Sequence, residues 1–493
     1  MSVKRSSRRQ FVIALGAGAV GVAASAIVVA CGGAPAAPTS APAATKPAET
    51  KPAAGGATAP AGAAAPTQPA AAGGAPAPAA KPAAGGGAKV QITFSHYLDP
   101  AAAKAYDDIL AKEWGAKYPN IDVKVDISPE GEFTGKMLTQ FGGGNYSDVV
   151  MVTDRYVPDF ASRDVLLDLN PNIKRDDSSY DFKDLNEDLV QSGNWGGKQV
   201  AIFDYTGPIV IYYNKRLFRE AGVEPPKDKG LNWTFDEFHE VAKKLTRGEG
   251  EKRVWASEGY QTGFCFQTYA TQALGGKLVD HRGPAPADKV NWHWNTPETR
   301  KSLEMQNKWT LTDKTVPIPG AVQGDPFQAQ RVAMKIVAGR WLGPLYTSFS
   351  WSDDLGMLHQ PLGTAPRQSR NGPRGLMIPK GSKNQDAAWN FIEFITNKEG
   401  MQLLFRLNYG TPARKSLWPV FKQKWLAKGE DGDIYEQSQK IMSELGALPT
   451  YPKFAAVNKV LTDNLNAMWL GQQSLDDTLK KLDADCNAQM KAP

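Results

Sequence analysis

Histidine and cysteine are scarce in this chain: five of the former, at 96, 239, 281, 293 and 359, and three of the latter, at 31, 265 and 486, in 493 residues. The histidines are scattered. No His-Glu-x-x-His, Gly-x-Ser-x-Gly or Cys-x-x-Cys is present, so the motifs of zinc peptidases, serine hydrolases and thiol-held metals are all missing. A basic stripe is missing too. The chain has 57 basic against 51 acidic residues, or +6, but residues 1–31 carry +4 and residues 32–88 carry +2, which leaves 89–493 neutral. That distribution excludes the electrostatic footprint of a nucleic-acid binder. Gly142-Gly143-Gly144 ends a helical pattern and precedes a strand, the reverse of a phosphate-binding order, and no Lys-Ser/Thr follows. No cofactor is expected.

What is present begins with a leader. Lys4, Arg5, Arg8 and Arg9 precede an apolar stretch over 11–30, the make-up of an export signal. Ser7-Arg8-Arg9-Gln10-Phe11 resembles a twin-arginine motif, and Val28-Val29-Ala30-Cys31 resembles a lipobox, in which Cys31 takes the lipid and becomes the attachment point. A membrane-spanning anchor competes, since about 20 apolar residues can cross a bilayer, although the many Gly and Ala weigh against it. Residues 32–88 are almost entirely Ala, Pro, Gly and Thr, with too little apolar bulk to bury, and read as an unfolded tether. Cys265 and Cys486 remain as a possible pair outside the cytoplasm; export after folding in a reducing compartment argues against the bond.

From residue 89 onward the pattern changes to alternating strands and helices. Its organising stretch is 147–169, where Asp148-Val149-Val150-Met151-Val152 reads as a fully buried parallel strand with Thr153, Asp154, Arg155 and Tyr156 just past its carboxyl end. In an open α/β sheet that end faces the ligand crevice. Asp154 offers acceptors, Arg155 a fork of donors and Tyr156 a flat face, tools that suit a polyhydroxylated ligand; the competing reading is an Asp-Arg ion pair at a helix entrance. The spacing also predicts strands over 89–95, with His96 and Tyr97 at the end, and over 121–127, 209–214, 332–337, 355–358 and 375–378, with a candidate over 263–267. Helices are predicted from Pro100, over 132–141, from a Thr234/Glu237 capping box, over 296–310, over 326–330 as a short piece, around Ala387 to Ile395, and through the C-terminal remainder. Such alternation predicts α/β architecture with mainly parallel sheets. About 400 residues exceed what one core usually holds, so two lobes are expected.

Several blocks then carry a resemblance, in order: Tyr118-Pro119-Asn120-Ile121-Asp122-Val123, the Gly144 to Val150 block with its following Asp154-Arg155, 207–214, 233–238, 331–341, 380–394, and Gly410-Thr411-Pro412-Ala413-Arg414. Together they resemble the extracellular solute-binding proteins of ABC importers, the group that includes maltose- and oligosaccharide-binding proteins. The resemblance implies a periplasmic-binding-protein fold with two lobes, 89–204 plus 362–411 and 205–361 plus 412–493, closing on ligand about hinge crossings near 203–207, 361–364 and 410–412. It implies a monomer that binds a carbohydrate, delivers it to membrane permease subunits and catalyses nothing. The ligand-binding residues it implies are His96 and Tyr97 after the first strand, the Asp154-Arg155 pair, Asp204 and Thr206 at the first crossing, Phe266 and Gln267, and Trp341 as a ring that stacks on sugar. One departure stands against maltodextrin: the tryptophan that maltose-type proteins place early in a C-terminal helix falls here near Asn458, with Tyr451 and Phe454 as the close aromatics. Glycerol phosphate, a polyamine or a metal chelate remains open as cargo, as does a tethered glycoside hydrolase, which needs only two suitably spaced carboxylates.

Overall fold

Runs of β-branched and aromatic residues bounded by Gly, Pro and Asn set where the strands fall. The computed structural model describes residues 89–98, 100–258, 269–338, 349–365, 372–407, 411–421, 423, 434, 436–438, 440–441 and 447–492. Its strands are β1 (Val90–His96), β2 (Ile121–Ile127), β3 (Val149–Thr153), β4 (Asn194–Trp195), β5 (Lys198–Gln199), β6 (Ile202–Phe203), β7 (Tyr205–Thr206), β8 (Ile209–Asn214), β9 (Trp255–Glu258), β10 (Val332–Ala338), β11 (Leu355–Leu358), β12 (Arg374–Met377) and β13 (Thr411–Pro412).

Among the described residues two sheets organise the fold, a five-stranded one in the order β2-β1-β3-β12-β6 and a four-stranded one in the order β11-β8-β10-β9. The expected α/β class holds, but the strand sense is more mixed than expected. In the first sheet β1 runs parallel to β2 and β3, while β12 is antiparallel to both β3 and β6. In the second, β9 and β10 are parallel, and β8 is antiparallel to β10 and β11. Each sheet thus has one reversed strand. β8 is entered from β7 through the Gly207-Pro208 bend, and β12 follows β11 with no described helix between them, so neither arrives by the crossover helix that sets a strand parallel to its neighbour.

Helices cover the sheets as the periodicities predict. Pro100–Ile109 turns Tyr106 and Ile109 into the first core, where Phe94 meets Phe391 at 4.9 Å and Tyr106 at 5.5 Å. Trp114, Trp389 and Trp469 are buried. Burying such a ring removes enough apolar surface from water to stabilise the fold by about 2–3 kcal/mol. Thr234 and Glu237 form the predicted capping box at the head of Phe235–Leu245. The expected helix over 326–330 is a turn instead: the Asp325 carboxylate accepts the Phe327 and Gln328 N–H groups, and Gln330 is left-handed with φ 56.

Two of the expected hinge stretches meet, since β7 and β13 pair with Thr206 opposite Thr411 and Tyr205 opposite Pro412. The chain after β13 stays with the first core. Arg414, 1% exposed, donates to the carbonyls of Thr396, Asp181 and Tyr180 at 2.7–2.8 Å, and Leu417 packs in the same cluster. Residues 361–365 belong to the surroundings of the second sheet: the Leu362 N–H donates to the Trp233 carbonyl, the Tyr269 hydroxyl to the Pro361 carbonyl and the Thr364 hydroxyl to the Leu274 carbonyl. At Gly363 a side chain would strike the Ala273 carbonyl. A third core joins Trp292 and Trp294 to the two C-terminal helices, Phe454–Trp469 and Leu475–Lys491.

Candidate functional site

All five strands of the first sheet contribute direction to one rim, but four of them end there and β12 begins there. The rim therefore gathers the residues that follow β1, β3 and β6 together with the first residue of β12. β3 is buried at every position, and the turn Asp154–Tyr156 follows at once, its Asp154 N–H donating to the Pro373 carbonyl at 3.1 Å. Asp154 is 1% exposed. Arg155 lies with its guanidinium 5.6 Å from the Tyr156 ring and 5.4 Å from the Phe454 ring, and the two rings meet edge to face at 5.3 Å. Such contacts orient a guanidinium against ring faces.

His96 ends β1 fully buried beside the Phe94 ring. Its Nδ1 accepts the Leu98 N–H at 3.2 Å, which leaves the neutral ring's proton on Nε2. That atom is buried with no hydrogen-bond partner among the described residues. Burial first, and the Arg374 guanidinium second, hold the imidazole at about 4 against the opposing pull of Asp126. Tyr97 packs on Phe133 at 5.3 Å and faces the Arg374 guanidinium at 5.7 Å; on the other side the Tyr205 ring lies 5.6 Å from the same cation. Asp204, 2% exposed, accepts from the Tyr106 hydroxyl at 2.5 Å, and its N–H donates to the Arg374 carbonyl at 3.4 Å. The Tyr205 hydroxyl donates to the Gly372 carbonyl at 2.7 Å.

The structure thus brings His96, Tyr97, Asp154 and Asp204 to one rim, with Arg155 beside it and Thr206 in the β7–β13 ribbon. Phe266, Gln267 and Trp341 lie outside the described residues, as do Cys31 and Cys265. Cys486 is a free thiol, buried in the third core and pushed up to about 12 by that burial. Arg374, Tyr205 and Tyr106 escaped sequence reasoning. Arg374 opens β12 directly after Gly372-Pro373, where a lone arginine carries no signal, and Tyr106 keeps helical spacing and reads as core.

Among the described residues no cluster of His, Cys, Asp and Glu is placed to hold a metal ion, and no helix is long and apolar enough to cross a membrane. A cavity of about 380 Å³ lies elsewhere, lined by Lys277, Asp280, His281, Arg282, Ala365 and Pro449 among others, and none of the rim residues takes part in it. Chemically, the rim offers acceptors, a ring-held cation and a fixed imidazole donor over aromatic faces, a combination that binds hydroxyls and the apolar faces of a polyol or sugar.

The family model of the bacterial extracellular solute-binding proteins matches residues 97–402. Among curated relatives, the diacetylchitobiose-binding protein of Streptomyces coelicolor is 26% identical over 408 residues, covering 80% of this chain and 88% of its own length. The erythritol/L-threitol-binding protein of Mycolicibacterium smegmatis is 24% identical, covering 63% and 68%. Among solved structures, an ABC substrate-binding protein of Listeria monocytogenes in complex with cycloalternan superposes with a TM-score of 0.71 at 21% identity, covering 82% of this chain and all of that one. A solute-binding protein of Agrobacterium radiobacter K84 in complex with ribitol gives 0.68 at 23% identity, covering 81% and 99%.

Proposed function

Since the chain belongs to the bacterial extracellular solute-binding protein family, we propose that it captures a sugar, sugar alcohol or oligosaccharide between two lobes and delivers it unchanged to the permease subunits of an ABC importer. The observation that carries this reading is the rim of the first sheet, where His96, Asp154, Asp204 and Arg374 converge among Tyr97, Tyr106 and Tyr205. Its mixed sign, two carboxylates about one guanidinium, suits a neutral polyol better than a polyamine or a phosphate. Relatives that bind ribitol, erythritol and diacetylchitobiose support the same class.

In this reading the first lobe holds the five-stranded sheet and the second the four-stranded one. The lobe boundaries of this reading fall between Ala365 and Gly372 and after Leu417, a division supported by the Tyr269–Pro361 and Tyr205–Gly372 bonds and by Leu417 in the first core. Trp341 is assigned as the ring that stacks on the solute, and Phe266 and Gln267 as further solute contacts; all three lie outside the described residues. Cys31 carries a lipid after twin-arginine export, residues 32–88 tether the monomer to the outer face of the membrane, and no reaction is catalysed.

Calorimetry on the full chain tests the site. Trp341→Ala and Asp154→Ala are each expected to weaken solute binding by about 1–3 kcal/mol while the fold persists. Unchanged affinity in both variants removes the assignment. Membrane fractionation tests the anchor, since Cys31→Ala is expected to release the protein.

A further inference from the structure

The helix Phe454–Trp469 begins without a side-chain cap of its own: Lys453 before it is left-handed with φ 64, and although its carbonyl accepts the Val457 N–H, its side chain caps nothing in the first turn. A helix start leaves backbone donors without intrahelical partners. Here a residue 294 positions away takes them: the Asp159 carboxylate accepts the Lys453 N–H and the Phe454 N–H. The two sides of that contact belong to different cores. Asp159 lies in Val157–Ala161, whose Val157 and Phe160 pack in the first core. Phe454 packs in the third, which is tied to the segment between β9 and β10: Asn487 accepts from the Trp292 N–H and Asp483 from the Trp294 N–H, both at 2.9 Å, and Pro284 bridges to Thr450. Arg155 and Tyr156, just before Asp159, close on the Phe454 ring at the same seam.

We propose that Asp159 is a positioning residue for solute capture: it holds the first turn of the C-terminal helix against Arg155 and Tyr156 and so sets how firmly the two lobes close. The inference rests on the two-lobed binding reading and adds a control to it. No bond to ligand is required of Asp159.

The charged groups that bear on Asp159 are Arg163, one turn on, and Lys453 from the facing segment, and both favour the carboxylate. The Lys453 ammonium itself is turned to the carbonyls of Gln489 and Ala492. Burial outweighs these attractions and the backbone bonds, and raises the carboxyl from 3.8 to about 6. A group raised in the closed form binds its proton more tightly there than when opening returns it to water. Its contribution to closure is complete below the ordinary value and is lost as pH rises through about 6. Mild acid therefore favours closure, by about tenfold between pH 8 and pH 5.

The test is hydrogen exchange at the Lys453 and Phe454 amides of the ligand-free full chain, corrected for intrinsic rates, at pH 5 and pH 8. It is run on wild type, Asp159→Asn and Asp159→Ala, beside calorimetric titrations with ribitol and maltotriose. Wild-type protection is expected to rise about tenfold toward pH 5. Asp159→Asn keeps an acceptor and cannot ionise, so it should show the acid-side protection at both pH values. Asp159→Ala should lose protection at both, and dissociation constants should follow the same order. Should the alanine variant fail to fold, the pH profile of the asparagine variant decides alone. Equal protection in wild type and variants, or a pH response that survives in Asp159→Asn, overturns the proposal. If exchange follows the expected order while neither solute binds, the latch stands and ribitol and maltotriose are excluded as cargo.

Discussion

In the first sheet β1, β3 and β6 end at one rim where β12 begins, and they deliver His96, Asp154, Asp204 and Arg374 to a single line. In the second sheet β9, β10 and β11 also run together against one reversed strand, yet the charges described there answer one another: Lys335 lies 3.1 Å from Glu258 and 2.6 Å from Asp325. At the first rim the described contacts include rings and a hydroxyl. Its cation rests between the Tyr97 and Tyr205 rings, and its Asp204 rests on the Tyr106 hydroxyl. A short-range ion cluster ties neighbouring elements together through charge, whereas ring and hydroxyl contacts fix the orientation of the groups they touch. The described charges of the two sheets are thus oriented by different kinds of contact.

The comparison breaks hardest at Arg414, which anchors the β7–β13 ribbon to the first core. Arg414→Ala strands three buried carbonyls and is expected to cost about 3–5 kcal/mol in chemical unfolding; a loss below 1 kcal/mol would mean the ribbon is not held there. Next in size is the imidazole at the end of β1. Because its folded value is lowered from 6.5 to about 4, the unfolded chain takes up the proton first, and the stability present at neutral pH drains away as pH falls through that window. Wild type should lose about 3 kcal/mol more than His96→Gln between pH 7 and pH 4, read as the difference between two denaturation series. Tyr106→Phe removes the hydroxyl from Asp204 and should lower stability by about 1–2 kcal/mol and weaken solute binding as well. The smallest effect belongs to the second sheet: Lys335→Met should change stability by about 1 kcal/mol and leave affinity untouched. If it altered affinity as strongly as Tyr106→Phe, the proposed separation of the Lys335 cluster from solute binding would be wrong.

Much of this was legible from residue pattern alone, for identifiable reasons. An unbroken apolar run ending in Thr153-Asp154-Arg155-Tyr156 can hardly be anything but a buried strand feeding a rim, and Thr234 with Glu237 names its helix start directly. The reversals of β8 and β12 were not legible, because strand direction is fixed by connection geometry and leaves the period of two unchanged. Arg374 was hidden for a related reason: it reaches the rim only because β12 runs backwards. Tyr106 and Asp159 sit in patterns that read as ordinary helix, and their partners, Asp204 and Lys453, are 98 and 294 positions away. Long-range polar pairs leave no local trace in composition or period.

In the proposed function, two lobes hold a neutral polyhydroxylated solute and leave it intact. The most direct measurement is titration calorimetry of the full chain against sugars, sugar alcohols and oligosaccharides, with the ligand recovered and identified afterwards. Saturable one-to-one binding to at least one of them is expected, with unchanged ligand on recovery. Binding confined to polyamines or phosphates, or a ligand recovered cleaved, would contradict it.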